Sequence, residues 1–169
     1  MSSKNNPTPD IPNHKLIIRR EFDAPRELVW KAWTEPGRVM QWLHLDEGMK
    51  AHSMQADLRV GGKFRIQTKM DDGEFFTAAG TYLEVKPPER LVYTWDWEKD
   101  GAGEEFGELE GAETQLTIEL QPRGKGTELI LTHEKFASVE RRDRHEVGWG
   151  LWLDQMEKYI ETKQGDAAA

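Results

Sequence analysis

The chain has 169 residues, with 23 basic against 31 acidic side chains and a net charge of −8. That length suits one domain with a real core. The acidic balance excludes the basic face that nucleic acid or an anionic bilayer demands. Cysteine is absent, which removes disulfides, thiolate nucleophiles and Cys-based zinc or iron–sulfur sites and fits a reducing cytoplasm, the expected location. No apolar run approaches the length of a bilayer span, so membrane insertion is not expected.

Residues 1–14 are polar and proline-bearing, without the apolar stretch of a signal peptide, and read as a disordered arm. A first strand follows over 15–22, carrying Leu16, Ile17, Ile18 and Phe22. Asp23-Ala24-Pro25 opens a helix whose first turn suits Pro25 and Glu27, with Leu28, Val29, Ala32 and Trp33 on its apolar side. Thr34 can cap a second short helix, buried through Val39, Met40, Trp42 and Leu43. His44 and His52 fall in an expected loop. From Ser53 the period becomes two: Ala56, Leu58 and Val60 alternate with Asp57 and Arg59 up to a turn at Gly61-Gly62. Phe64, Ile66 and Thr68 continue the alternation to a hairpin turn at Asp71-Asp72-Gly73.

The strand over 76–86 closes at Pro87-Pro88, and the next, over 90–97, sets Leu91, Tyr93, Trp95 and Trp97 on one face. A last hairpin over 114–121 and 127–135 points Leu116, Ile118 and Leu120 one way, as it does Leu129, Leu131 and His133. Between these strands, residues 98–113 hold seven acidic side chains, one lysine and four glycines. They read as a solvated loop; calcium ligation is the alternative, but the oxygens lack EF-hand spacing. The last helix, over 147–160, spaces Trp149, Trp152, Leu153, Met156 and Ile160 as one apolar stripe. Gly148 and Gly150 inside it cost roughly 1 kcal/mol each relative to alanine. Close backbone approach or a bend at a cavity mouth is the expected offset. Lys163 and Gly165 suit the helix end, leaving 164–169 as a frayed tail.

Chemistry-bearing groups are sparse. None of His14, His44, His52, His133 and His145 stands at a metal-ligand spacing, and neither metal nor cofactor is expected. His133 shares its strand face with Leu129 and Leu131. It is the candidate acid or base, against the alternative of a hydrogen-bonded structural histidine. His145, in the charged run 140–146 before the last helix, is placed near a cavity entrance. Asp71 and Asp72 are explained by their turn, and Arg59 by a surface ion pair or an ordered turn. Serine-hydrolase, P-loop and dinucleotide fingerprints are absent. Seven tryptophans are many for this length; a partly hollow core walled by aromatics would accommodate them.

Four stretches carry a family resemblance: residues 22–36, with Phe22-Asp-Ala-Pro-Arg-Glu-Leu-Val-Trp30; residues 57–64; residues 88–95; and residues 148–156. In this order they resemble the signatures of the START-like superfamily, also called SRPBCC or Bet v 1-like. Within it they are similar to the branch named after the activator of the heat-shock protein ninety ATPase. The resemblance implies an α+β helix-grip fold over 15–163: an antiparallel sheet of about six or seven strands around a long C-terminal helix, with two short helices after the first strand.

The resemblance also implies a cavity between sheet and helix, used by relatives for apolar ligands and in some for cyclisation, dehydration or hydrolysis. The residues expected to line it are Trp33, Trp42, Phe64, Tyr82, Tyr93, Trp95, Leu131, His133, Trp149, Trp152 and Met156. The expected partner is a small hydrophobic or aromatic molecule, and a homodimer is compatible with the sequence. The alternatives are a cavity enzyme using His133 and a chaperone-linked interaction module. The chaperone activity behind the family name belongs to a two-domain protein whose separate N-terminal domain contributes to binding. With 14 residues before the first strand, a chaperone partner is not expected here.

Overall fold

A computed structural model describes residues 14–45, 48–98 and 113–168. Its elements are β1 (His14–Phe22), α1 (Arg26–Thr34), α2 (Pro36–Trp42), β2 (His44–Leu45), β3 (Met49–Ala56), β4 (Lys63–Met70), β5 (Phe75–Lys86), β6 (Arg90–Trp97), β7 (Thr114–Arg123), β8 (Gly126–Phe136) and α3 (Val139–Ala168). The strands form one eight-stranded sheet in the order β1-β8-β7-β6-β5-β4-β3-β2, and each neighbouring pair is antiparallel. This is the expected α+β helix-grip architecture, with β2 a two-residue addition at one edge. The proposed arm, apart from His14, and the acidic insertion, apart from Glu98 and Glu113, lie outside the described residues. So do the side chains of the proposed tail.

Period-two alternation decides which sheet face is buried. In the β7–β8 pair, Leu116 faces His133, Ile118 faces Leu131 and Leu120 faces Leu129, and all six are buried. The stripe of α3 covers this face: Trp149, Leu153, Met156 and Ile160 are buried, while Trp152 is partly exposed. Each fully buried Leu, Ile or Met contributes roughly 1.5–3 kcal/mol. Arg20 of β1 reaches across to Asp154 at 2.8 Å and Glu157 at 3.4 Å.

Two indoles secure the short helices. Trp42 Nε1–H donates to the Ala32 carbonyl at 2.7 Å, tying α2 to α1, and Trp33 Nε1–H donates to the Tyr93 hydroxyl at 3.0 Å, tying α1 to the sheet. Both bonds satisfy buried donors that would otherwise cost about 1–3 kcal/mol each.

Thr34 does not cap α2: it ends α1, its hydroxyl donates to the Trp30 carbonyl at 2.8 Å, and Glu35 takes the N-cap position. Three further local expectations are corrected. First, β3 begins at Met49 rather than Ser53, so His52 sits in a strand, with its ring 5.0 Å from that of Phe75, and His44 sits in β2. Met-Lys-Ala-His has weak strand propensity; pairing with β4, Met49 opposite Met70, overrides it. Second, alternation stops at Ala56. Val60 is exposed because the chain turns there: Asp57 N–H donates to the Lys63 carbonyl, and Gly61 takes φ 85°. A Cβ at Gly62 would lie 2.0 Å from the Asp57 carbonyl oxygen, so that position requires glycine. Arg59 pairs with Asp57 at 2.7 Å on the surface of this turn. Third, α3 starts at Val139 rather than Val147, and the solvated charged run 140–146 forms its opening turns. Ser138 supplies the missed cap, its Oγ accepting from Arg141 N–H at 3.2 Å. No helix among the described residues is long and apolar enough to cross a membrane.

Candidate ligand cavity

The aromatic residues of β4, β5, β6, α1, α2 and α3 meet between the sheet and α3. Trp149 stacks on Trp33 at 5.7 Å and lies 5.2 Å from Trp95. Trp152 stands edge-on to Trp149 at 5.3 Å, and Phe64 edge-on to Tyr93 at 5.1 Å. Such large, shape-fixed rings leave space between them. A small inner void of about 30 Å³ is lined by Trp33, Trp42, Phe64, Tyr82 and Tyr93, with Trp95, Trp149 and Trp152 and five aliphatic or methionine side chains.

A larger cavity of about 250 Å³ shares the same three tryptophans in its wall. Its wall comprises Met49, Thr68, Met70, Phe76, Trp95, Trp97, Arg144, His145, Gly148, Trp149 and Trp152. The wall is mainly aromatic and methionine, with the exposed Arg144 on its rim. Gly148 lines it without a side chain, and a Cβ built there meets nothing within 4 Å. The expected close backbone approach at this glycine is therefore replaced by open space. Gly150 also meets no neighbour, and nothing in the structure explains it.

Eight of the eleven sequence-derived lining residues border these two spaces: Trp33, Trp42, Phe64, Tyr82 and Tyr93 the inner one, and Trp95, Trp149 and Trp152 both. Leu131, His133 and Met156 border neither and are wholly inaccessible in the packed core. Strand and helix periodicity reveals an inward face, but not whether that face meets space or another side chain. Among the residues the sequence reading missed, Met49 was hidden by the late start assigned to β3, whereas Met70 extends the Phe64, Ile66 and Thr68 parity of β4. Phe76 carried a usable signal, since it has the same strand parity as Tyr82.

His133 sits at the centre of a buried hydrogen-bond chain. Trp149 Nε1–H donates to His133 Nδ1 at 3.0 Å, which leaves the proton of the neutral ring on Nε2. That nitrogen donates to Thr114 Oγ1 at 2.7 Å, and the hydroxyl donates to the Trp95 carbonyl at 2.9 Å. Burial pushes the imidazole well below its usual range, and the nearby His145 adds to the shift. His145 has the opposite tautomer. Its Nδ1–H donates to the Arg141 carbonyl at 2.7 Å, and its Nε2 accepts from Trp97 Nε1–H at 2.9 Å. Burial also lowers its pKa, against that carbonyl bond and with help from Arg144 and Arg141. Each histidine thus anchors one tryptophan of the cavity wall.

Burial raises the Tyr82 phenol to about 12, with Asp57 adding to the effect. It holds Tyr93 well above the usual range despite the bond from Trp33. Both phenols are neutral near pH 7 and offer polar points in an otherwise apolar lining. Trp95 Nε1–H is enclosed without a hydrogen-bond partner among the described residues, which costs about 1–3 kcal/mol. Among the described residues, no three His, Asp or Glu side chains converge as metal ligands.

Solved structures share this arrangement. Protein NE0264 from Nitrosomonas europaea is 26% identical with a TM-score of 0.71, covering 89% of this chain and 96% of its own. CalU16 from Micromonospora echinospora is 29% identical with a TM-score of 0.63, covering 90% of this chain and 79% of its own. The AHSA1 (SPO3351) protein from Silicibacter pomeroyi, 24% identical with a TM-score of 0.75, shares the fold over 89% of this chain and 99% of its own. No curated protein matches. The model of the family described as Activator of Hsp90 ATPase homolog 1-like protein matches residues 23–161, nearly the whole folded chain, and the protein belongs to that family.

Proposed function

We propose that this protein binds a small hydrophobic or aromatic molecule in the cavity between β3–β6 and α3. The observation that carries the reading is the cavity of about 250 Å³ with four tryptophans, a phenylalanine and two methionines in its wall. Drug-sized ligands occupy roughly 300–1,000 Å³, so this space suits one or two fused rings rather than a sterol. Aromatic side chains supply large, low-entropy contact surfaces, and methionines adapt to ligand shape.

The geometry of His133 favours binding over acid–base turnover. Both ring nitrogens are engaged inside the core, and the ring borders neither space. In this reading His133 positions Trp149 and the backbone of Trp95. The test is calorimetric titration with naphthol. Wild type should bind it saturably at one site, and Trp97→Ala should weaken binding. Absence of saturable binding to this probe and to a set of monocyclic and bicyclic aromatics would sink the reading.

A further inference from the structure

The cavity and the inner void share three walls, Trp95, Trp149 and Trp152. Two of these are pinned. Trp95 is buried on β6, and Trp149 is buried on α3, bonded to His133 and stacked on Trp33. Trp152 differs: it is partly exposed, and its contact with Trp149 is edge-on. Rotating a buried, hydrogen-bonded ring costs packing and leaves polar groups unmet, whereas a partly exposed ring turns at much smaller cost.

We propose that Trp152 is the specificity-determining residue of the cavity. Its indole divides one long apolar channel into an outer chamber that takes the ligand and an inner chamber held shut. Its size therefore sets the maximum ligand length. This inference rests on the binding function proposed above and adds the class of ligand: compact aromatics are accepted, and linear molecules that would have to pass Trp152 into the space between Tyr82, Tyr93 and Trp33 are rejected. The inner space of about 30 Å³ holds no ring by itself, but its lining is aromatic and aliphatic, and deleting the Trp152 indole would add that side chain's own volume to it.

The test compares naphthol, as the short probe, with the linear phenylnaphthol, as the long one. Affinities are measured by calorimetry for wild type, Trp152→Phe and Trp152→Ala. Wild type should prefer the short probe. Trp152→Ala should shift the long-to-short affinity ratio upward by about tenfold or more, the scale on which apolar pockets discriminate size, with Trp152→Phe in between. Thermal melts check that the variants remain folded, which the partial exposure of Trp152 favours. A ratio unchanged in Trp152→Ala, with the short probe still bound, overturns the divider while leaving the binding function standing. Failure of wild type to bind either probe, or any of the monocyclic and bicyclic aromatics, overturns both.

Discussion

Gly148→Ala should make the protein more stable and its cavity poorer. The residue lies inside α3, nine positions from its start, where glycine costs about 0.8–1 kcal/mol relative to alanine. A new Cβ meets no atom within 4 Å, so no clash offsets that gain. For a chain of this size, 1 kcal/mol corresponds to roughly 2–4 °C in melting temperature. The added methyl group enters the wall of a cavity of about 250 Å³ and removes space that the proposed ligand would use. Gly150→Ala is the matched control: it has the same helical context and the same open surroundings, but does not line the cavity. Calorimetric melts should show a gain of about 2–4 °C for both variants, and naphthol titration should weaken for Gly148→Ala alone. A lower melting temperature for Gly148→Ala would refute the claim of open space. Equal naphthol affinity in the two variants would refute the view that this glycine keeps the cavity clear.

Other expectations follow from the buried polar groups. His133→Ala strands the indole N–H of Trp149 beside a new void and removes the donor to Thr114 Oγ1, whose own bond to the Trp95 carbonyl remains; urea unfolding should show a loss of about 3 kcal/mol, and a loss below 1 kcal/mol would contradict the hydrogen-bond chain. Because burial lowers the pKa of both His133 and His145, the unfolded chain binds more protons than the native one below the ordinary histidine pKa of about 6.5. The urea midpoint should therefore hold above that pH and fall as the pH drops from about 6.5 towards 5; a flat midpoint over that interval, or one unaltered in slope by His133→Gln, would count against it. The raised phenol pKa values of Tyr82 and Tyr93 predict that native protein shows little tyrosinate absorbance from them at about pH 10.5, where unfolded tyrosine is mostly ionised; Tyr82→Phe and Tyr93→Phe spectra check the assignment. Arg20→Ala removes a partly exposed ion pair with Asp154 and Glu157 and should cost under about 1 kcal/mol.

Much of the fold is local and was legible. The stripe Trp149, Leu153, Met156 and Ile160 and the alternation of Leu129, Leu131 and His133 follow directly from the 3.6 and 2.0 residue periods, and both were found buried. Pro36 opens α2 because a fixed φ and a missing N–H suit a first helical turn, and Pro25 stands just before α1 as its extended N-cap residue. The beginning of β3 escaped because its strand character comes from pairing with β4, a long-range contact that propensity does not encode.

Periodicity and turn chemistry within a few residues therefore settled which faces turn inward and the order of the main elements; the two-residue β2, which exists through its pairing with β3, lay beyond their reach. What only the tertiary structure decided was where the inward faces close on one another and where they stop short. Met156 and Leu131 meet other side chains, while Met70, Phe76 and Trp97 face space. That outcome depends on the volumes of residues from six or more elements packed together. The same holds for His133: its inward position was readable, but its two bonded nitrogens depend on Trp149 and Thr114 arriving from α3 and β7.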